Sequence, residues 1–270
     1  MAGGTVRGAI LVSGAAGGIG RAIAARLAAD GHHVIGADRD GAAMEATAGQ
    51  IGAEALTLDI GEEDQVVAAL AGVAAGPGLG GLVNNAGLHR IGAVVATGAA
   101  EWDRIHNVNA RGTFLMCREG ARHMARAGAG VIVNTVTRLG FGNPFSAAYM
   151  ASKAAVQALT QCLAIEMART GVRVNAVAPG HVGPGTGMEA AFREKARSLG
   201  MAWPEFEAGV QRSIPLGRWC RPDDVAGAVA WLMGPDAAFV TGETINVTGG
   251  FQAYAGAPAP EELENPYDDT

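Results

Sequence analysis

Lysine is almost missing from this sequence. Of twenty lysine and arginine residues only two are lysine, and one of them, Lys153, stands four residues after Tyr149, itself one of only three tyrosines. Cysteine is scarce as well. Cys117, Cys162 and Cys220 are odd in number and far apart, with no metal-ligand spacing. That excludes an even disulfide framework and reads as reduced core or interface thiols in a reducing compartment. Basic charge is in deficit: the net charge is −6 and no basic stripe runs along the chain, which excludes a nucleic-acid partner held through its phosphates. Long apolar runs are lacking. The one in MAGGTVRGAILVSG is too short for the core of a secretion signal or for a bilayer crossing, so a cytoplasmic protein without a membrane partner is expected. Charged residues make up only 17% against 49% hydrophobic, which excludes wholesale disorder and leaves enough apolar side chains for a sizeable core. His32, His33, His106 and His123 form no metal set, and no metal is expected.

What is present is alternation. Short apolar runs of buried-strand length fall at 9–13, 33–38, 54–59, 81–87, 130–136, 172–179 and 243–250. Between them, helical spacing covers 18–31, 42–50, 62–75, 101–125, 147–169 and 222–233. Strand and helix in turn, with strands that are near-continuously apolar, predict an α/β fold with a parallel sheet covered on both faces. One large domain over 1–254 is expected. An additional helical segment at 181–215 falls where an insertion would cap a site, and 255–270 is an acidic, proline-containing tail.

The first strand runs into SGAAGGIG, residues 13–20. A strand, a glycine turn and a helix in that order make an anion site, because the helix N-terminus offers free N–H groups and glycines let a pyrophosphate approach the backbone. The spacing Gly14, Gly18, Gly20 departs from the commoner G-x-G-x-x-G, and a packing turn is the plain alternative. Asp38 ends the second strand roughly 20 residues past the glycine loop, where a ribose hydroxyl is usually held; DRDG also reads as turn residues. Tyr149 and Lys153 are spaced i, i+4 on a helix and so share a face. A nearby ammonium favours the phenolate and lowers the phenol's pKa, which makes the pair a candidate general acid/base; a surface Tyr/Lys pair on a helix is the plain alternative.

SGAAGGIG, NNAG (84–87), YMASK (149–153), VAPG (177–180) and the late GRWCRPDDVAGAVAWLM and VTGETINVTGG, in this order, resemble the short-chain dehydrogenase/reductase family over essentially the whole chain. The resemblance implies a Rossmann-like, doubly wound sheet of about seven parallel strands with helices on both faces and a dinucleotide at the switch point. It implies Tyr149 as general acid/base and Lys153 as the residue that lowers the phenol's pKa and holds the nicotinamide ribose. Asn109, in NVNARG, matches the organiser of a water and proton path to Lys153. Asp59 matches an adenine contact, and Asn85, Ala86 and Gly87 line the cofactor trough. Gly14, Gly18, Ile19, Gly20, Asp38, Ile60, Pro179, Gly180, Val182 and Thr186 complete the implied cofactor set.

The sequence departs from the family pattern in three places. The usual helper serine after the fifth strand is replaced in NTVTRLG; aligning on Gly140 puts Thr137 there, with Thr135 a second candidate and loss of the helper a third reading. Thr186 comes two residues later than the family's threonine after Pro-Gly. Thr248 stands where an aspartate is frequent, and we have no functional account of it.

At the substrate mouth the sequence places His89, Arg90, Arg138 and His181, with few aromatics, Phe141 and Phe145 being nearest in sequence. A guanidinium facing a pocket is expected to meet a carboxylate, phosphate or polyhydroxy group. A polar or anionic secondary alcohol, or its ketone, is therefore expected, beneath a lid carrying Met188, Met201 and Trp203 and hinged at Gly183, Gly185 and Gly187. Asp38 would accept the ribose hydroxyls and repel a 2′-phosphate, which favours NAD; Arg39 keeps NADP as the alternative. Three functions stay open: an NAD-dependent alcohol dehydrogenase or ketone reductase, an NADPH-dependent biosynthetic ketoreductase, and a catalytically silent dinucleotide-binding regulator. The helices at 101–125 and 147–169 are apolar on more than one face, so a homo-oligomer, dimer or tetramer, is expected.

Overall fold

The computed structural model describes residues 6–139, 145–183, 186 and 188–251. The expectations for Gly140, Phe141, Gly185, Gly187 and the tail 255–270 lie outside the described residues. Strand and helix alternate as β1 (Ala9–Ser13), α1 (Gly18–Ala29), β2 (Val34–Asp38), α2 (Gly41–Ile51), β3 (Glu54–Thr57), α3 (Glu63–Ala75), β4 (Leu79–Asn84), α4 (Ala99–His106), α5 (Thr113–Ala127), β5 (Gly130–Thr135), α6 (Ala147–Met167), β6 (Val172–Pro179), α7 (Met188–Ser198), α8 (Trp203–Arg212), α9 (Pro222–Met233) and β7 (Thr244–Val247). The seven strands form one parallel sheet in the order β3-β2-β1-β4-β5-β6-β7. This is the doubly wound arrangement, and its order reverses between β1 and β4, where such sheets open a crevice at their carboxyl ends.

The central strands are largely apolar because they feed two cores, whereas the edge strands β3 and β7 are more exposed. Ala9 and Leu11 of β1 pack with Leu70 of α3, Leu115 of α5 and Leu163 of α6. Ile10 and Val12 of the same strand pack with Ile23 of α1, Met44 of α2 and Val229 of α9. Successive side chains of a strand face opposite ways, so β1 supplies both layers from five residues. The sheet centre also carries a polar ladder. Asn84 of β4 donates to Asn134 of β5 at 2.8 Å, and Asn134 donates to Thr160 of α6 at 2.9 Å. Cys117 of α5 is buried against both asparagines, and burial pushes its thiol up to about 12, so it stays protonated.

The long helix expected over 101–125 is interrupted. A π-helical turn, Asn107–Gly112, separates α4 from α5. A π-turn admits one extra residue per turn and recurs at functional sites. Here it carries Asn109 into the interior, where the side chain is fully buried. Gly112 sits on Ile60, close enough that a Cβ would lie 2.9 Å from Ile60 atoms. Hydrophobic spacing alone reads through such an insertion.

The glycine turn after β1 is held by backbone contact. A Cβ on Gly20 would stand 2.0 Å from the carbonyl oxygen of Gly14, whereas one on Gly17 would meet nothing within 4 Å. Gly20→Ala should therefore destabilise the protein by about 2 kcal/mol or more through a forced backbone shift. Gly17→Ala, at the helix N-cap, should cost no more than about 1 kcal/mol. Urea unfolding of the two variants checks this; equal midpoints would refute the packing role of Gly20.

Candidate active site

Two adjoining cavities lie at the carboxyl end of the sheet and share Ile19, His89 and Met188 in their walls. The larger, about 520 Å³, is lined by Gly14, Gly17, Gly18, Ile19, Asp38, Arg39, Asp59, Ile60, Asn85, Ala86, Gly87 and Thr186 among others. The local folding is explicit. Gly14 has φ +68°, and a Cβ there would lie 2.8 Å from the Ala86 Cα. Asn85 donates to the carbonyls of Ser13 and Gly14 at 3.3 Å, while the Ser13 hydroxyl accepts from the amides of Asn85 and Ala86. The glycine turn and the exit of β4 are thereby locked together. Gly17 and Gly18 leave the N-terminus of α1 bare toward the cavity. The Asp38 carboxylate is aimed by backbone donors: the amide of Ala16 at 3.3 Å and that of Asp40 at 3.1 Å. Asp59 accepts from the Gly61 amide at 2.9 Å. A bare helix N-terminus beside an oriented carboxylate fits a dinucleotide, with phosphates at the first and a ribose at the second.

The smaller cavity, about 310 Å³, is lined by Thr135, Thr137, Arg138, Tyr149, Pro179, Gly180, His181, Val182, Phe192, Lys195 and Phe251 among others. Tyr149 and Thr137 stand in the same wall; burial raises the phenol to about 12, and the Thr137 hydroxyl pulls the other way. Lys153 is buried on the same helix, donates to the Thr135 carbonyl at 2.6 Å and lies 6.0 Å from the centre of the Tyr149 ring; burial lowers it to about 8. In this arrangement the Lys153 ammonium is turned to the Thr135 carbonyl, and burial is the larger influence on the phenol. Asn109 accepts from the Leu88 amide at 2.7 Å and donates to the Leu88 carbonyl and the Ser152 hydroxyl, both at 2.9 Å. It clamps the loop after β4 against α6. Gly87 lies beside it, since a Cβ there would meet Asn109 Oδ1 at 3.2 Å and Lys153 Nζ at 3.5 Å.

Not every expected substrate residue enters this cavity. Arg90 does not: its side chain is 62% exposed and pairs with Glu101 at 3.2 Å on the rim. Desolvating a guanidinium is costly, and a carboxylate at the surface holds it there. Arg138 does line the cavity, lying over the Phe251 ring at 4.4 Å and donating to the Phe251 carbonyl at 2.9 Å. The ring of His89 meets Tyr149 edge-on at 4.5 Å, and that of His181 meets Phe251 edge-on at 4.5 Å. Thr186 bonds the Gly183 carbonyl. The aromatic lining comes from Phe192 and Phe251, far away in sequence, and not from Phe145, which has φ +64° and lines neither cavity. Met188 lines both cavities; Met201 and Trp203 line neither, and Trp203 packs under Arg193. Sequence reasoning missed Lys195, on α7. Its one signal was rarity, as the second of two lysines.

A family model described as enoyl-(acyl carrier protein) reductase matches residues 14–252. The chain belongs to the short-chain dehydrogenase/reductase family. This dehydrogenase/reductase is 42% identical to inactive 2-(S)-hydroxypropyl-CoM dehydrogenase 2 of Xanthobacter autotrophicus, over 80% of this chain and 93% of the relative. Its fold matches a variant of actinorhodin polyketide ketoreductase solved with NADPH (TM-score 0.86, 34% identity, 94% of this chain and all of that one). It also matches NAD+-bound xylitol dehydrogenase (TM-score 0.85, 32% identity, 91% and 99% covered). The chain is an oxidoreductase of this family, and its cofactor is a nicotinamide dinucleotide. Among the described residues no helix is long and apolar enough to cross a membrane.

Burial depresses both pocket histidines. His89 and His181 each fall to about 4, with the positive charge of Lys195 adding to both and that of Arg138 to His181. A histidine whose folded pKa lies below its unfolded value contributes stability that is present above about 6.5 and lost as pH falls toward 4, up to about 3 kcal/mol for each. Urea unfolding from pH 6.5 to 4.5 should show that loss, and His181→Gln should flatten it. An unchanged slope in the variant would refute the assignment.

Proposed function

We propose that this enzyme interconverts a secondary alcohol and its ketone by hydride transfer, with NAD as cofactor and Tyr149 as the general acid/base. The observation that carries this reading is the placement of the Thr137 and Tyr149 hydroxyl-bearing side chains together in the wall of a cavity that adjoins the glycine-turn cleft, with Lys153 buried on the same helix as Tyr149. The dinucleotide, when bound, accepts or supplies the hydride. The protein's part is the proton and the orientation. In ketone reduction the neutral phenol donates to the carbonyl oxygen while Thr137 holds that oxygen in place. In alcohol oxidation the phenolate must form, and the charge available to favour it is that of Lys153. Asn109 acts through position: by fixing Leu88 and Ser152 it holds the loop after β4 against the helix that carries Tyr149 and Lys153.

The NAD assignment rests on Asp38, whose carboxylate is fixed by two backbone amides at the cleft wall. A carboxylate there accepts ribose hydroxyls and repels a 2′-phosphate. Arg39, on the same wall, supports the second reading, an NADPH-dependent ketoreductase. Asp38 is the anchored one of the two. The proposal extends to one catalytic domain over 1–254 capped by the 181–215 segment, in a cytoplasmic homo-oligomer. Phe114 on α5 and Ile165 on α6, 43% and 80% exposed, supply apolar surface for such an assembly.

Tyr149→Phe should lower kcat by about 10² or more while dinucleotide affinity, followed by fluorescence titration, stays near wild type. Thr137→Val should behave similarly and Thr137→Ser should keep much of the activity. Full activity in Tyr149→Phe would remove the mechanism, and an active Thr137→Val beside a dead Thr135→Val would move the helper to Thr135. For the cofactor, kcat/KM with NAD should exceed that with NADP, and Asp38→Asn should narrow the gap; a preference for NADP in the wild type would overturn the assignment.

A further inference from the structure

Serine is a preferred helix N-cap because its hydroxyl takes up a bare backbone amide. Ser146 stands at the N-cap of α6, yet its side chain makes no capping bond. It is 1% exposed, its Oγ has no hydrogen-bond partner in the protein, and it lines the smaller cavity. Two imidazoles are in the same condition. His89 and His181 line that cavity, and each keeps a fully buried Nδ1 without a partner. Buried polar atoms are rarely left unsatisfied, and three such side chains in the wall of one cavity mark groups that a ligand completes. Ser146 lies three residues before Tyr149, on the same face of the helix. The His89 ring meets the Tyr149 ring edge-on at 4.5 Å. Both therefore stand beside the phenol. His181 packs instead among the rings of Phe192, Trp219 and Phe251.

The three groups are neutral near pH 7, since burial holds both imidazoles at about 4. A hydroxyl and a neutral imidazole each offer a donor and an acceptor, and so does a substrate hydroxyl, which fits them in either tautomer; a carboxylate only accepts. No aspartate or glutamate is among the described lining residues, and the two cations there, Arg138 and Lys195, are engaged within the protein. We propose that the substrate is a short, neutral polyhydroxy compound, oxidised as a vicinal diol and reduced as an α-hydroxy ketone, with Ser146 and His89 holding the hydroxyl next to the reacting carbon and His181 holding a further one. This deepens the alcohol–ketone reading and rests on it. The neighbouring hydroxyls take no part in the bond changes. They set the choice of substrate, because an analogue without them leaves the buried groups unpaired. At about 310 Å³ the cavity is at the small end for ligand sites, which suits a short chain. Ser146 thereby sorts substrates one helical turn before the residue that moves the proton.

The test uses four-carbon ketones that differ in their polar groups. The full-length enzyme is assayed with butan-2-one, racemic 3-hydroxybutan-2-one, both enantiomers of erythrulose and acetoacetate, with either reduced dinucleotide. Separately, binding of erythrulose and butan-2-one is measured by ligand-observed NMR on Tyr149→Phe enzyme saturated with reduced dinucleotide, which needs no turnover. In kcat/KM, 3-hydroxybutan-2-one should exceed butan-2-one at least tenfold, erythrulose should exceed 3-hydroxybutan-2-one, and acetoacetate should fall below both hydroxy ketones. Erythrulose should bind at least tenfold more tightly than butan-2-one. Ser146→Ala should cut the ratio of 3-hydroxybutan-2-one to butan-2-one at least fivefold. His181→Leu should cut the ratio of erythrulose to 3-hydroxybutan-2-one, and His181→Asn, which keeps a donor and an acceptor, should restore much of it; circular dichroism reports that each variant is folded. Tighter binding of erythrulose with no turnover of any ketone by the wild type would uphold the hydroxyl site and defeat the catalytic reading instead. Butan-2-one or acetoacetate favoured or equal, no binding of erythrulose, or ratios unmoved by Ser146→Ala and His181→Leu would each overturn the proposal.

Discussion

The turn after β1 touches the exit of β4 backbone to backbone, and the rest of the site depends on that contact. Gly14 stands where a Cβ would strike Ala86, Gly20 where one would strike Gly14, and Asn85 and Ser13 tie the two chain segments with hydrogen bonds. The contact lies where the strand order reverses. Chain leaving β1 goes to one face of the sheet and chain leaving β4 to the other, so a crevice opens between them. Everything that lines the dinucleotide cleft is referred to this point: the bare start of α1, Asp38 one strand over, and Gly87 on the loop that Asn109 clamps. Only glycine permits it, because the neighbouring atoms are main chain and cannot turn aside.

Burial then sets the chemistry. Tyr149, Lys153, His89 and His181 are all moved away from their ordinary pKa values by desolvation, and all in the direction of the neutral form. Groups held neutral in a small apolar-walled space can donate and accept protons with little reorganisation, and they respond strongly to any charge brought in. The hydroxyl pair at one end and the basic groups at the other give the cavity two different polar ends. The helix α7 contributes to the second end through Lys195.

The order of strands and helices was legible from residue pattern because the periods of burial are short-range: the central strands were near-continuous apolar runs, and the helices between them kept helical spacing. The glycine loop, Asp38 and the Tyr149–Lys153 spacing were legible for the same reason, each being a relation within one element or one turn. The π-turn at Asn107–Gly112 was not, since one inserted residue changes the hydrogen-bond ladder without disturbing the apolar spacing that reports a helix.

Sequence by itself determined the doubly wound fold and the helical spacing that puts Tyr149 and Lys153 on one helix. Tertiary structure alone decided which charged side chains line the smaller cavity. Arg90, next to His89 in the chain, is drawn out to Glu101, while Lys195, more than a hundred residues away, is brought in by α7. It also decided the aromatic walls, since Phe192 and Phe251 come from distant segments. The physical reason is that periodicity encodes which face of an element is buried, whereas the neighbours met on that face depend on how separate elements pack, and a long charged side chain settles wherever its desolvation is best offset.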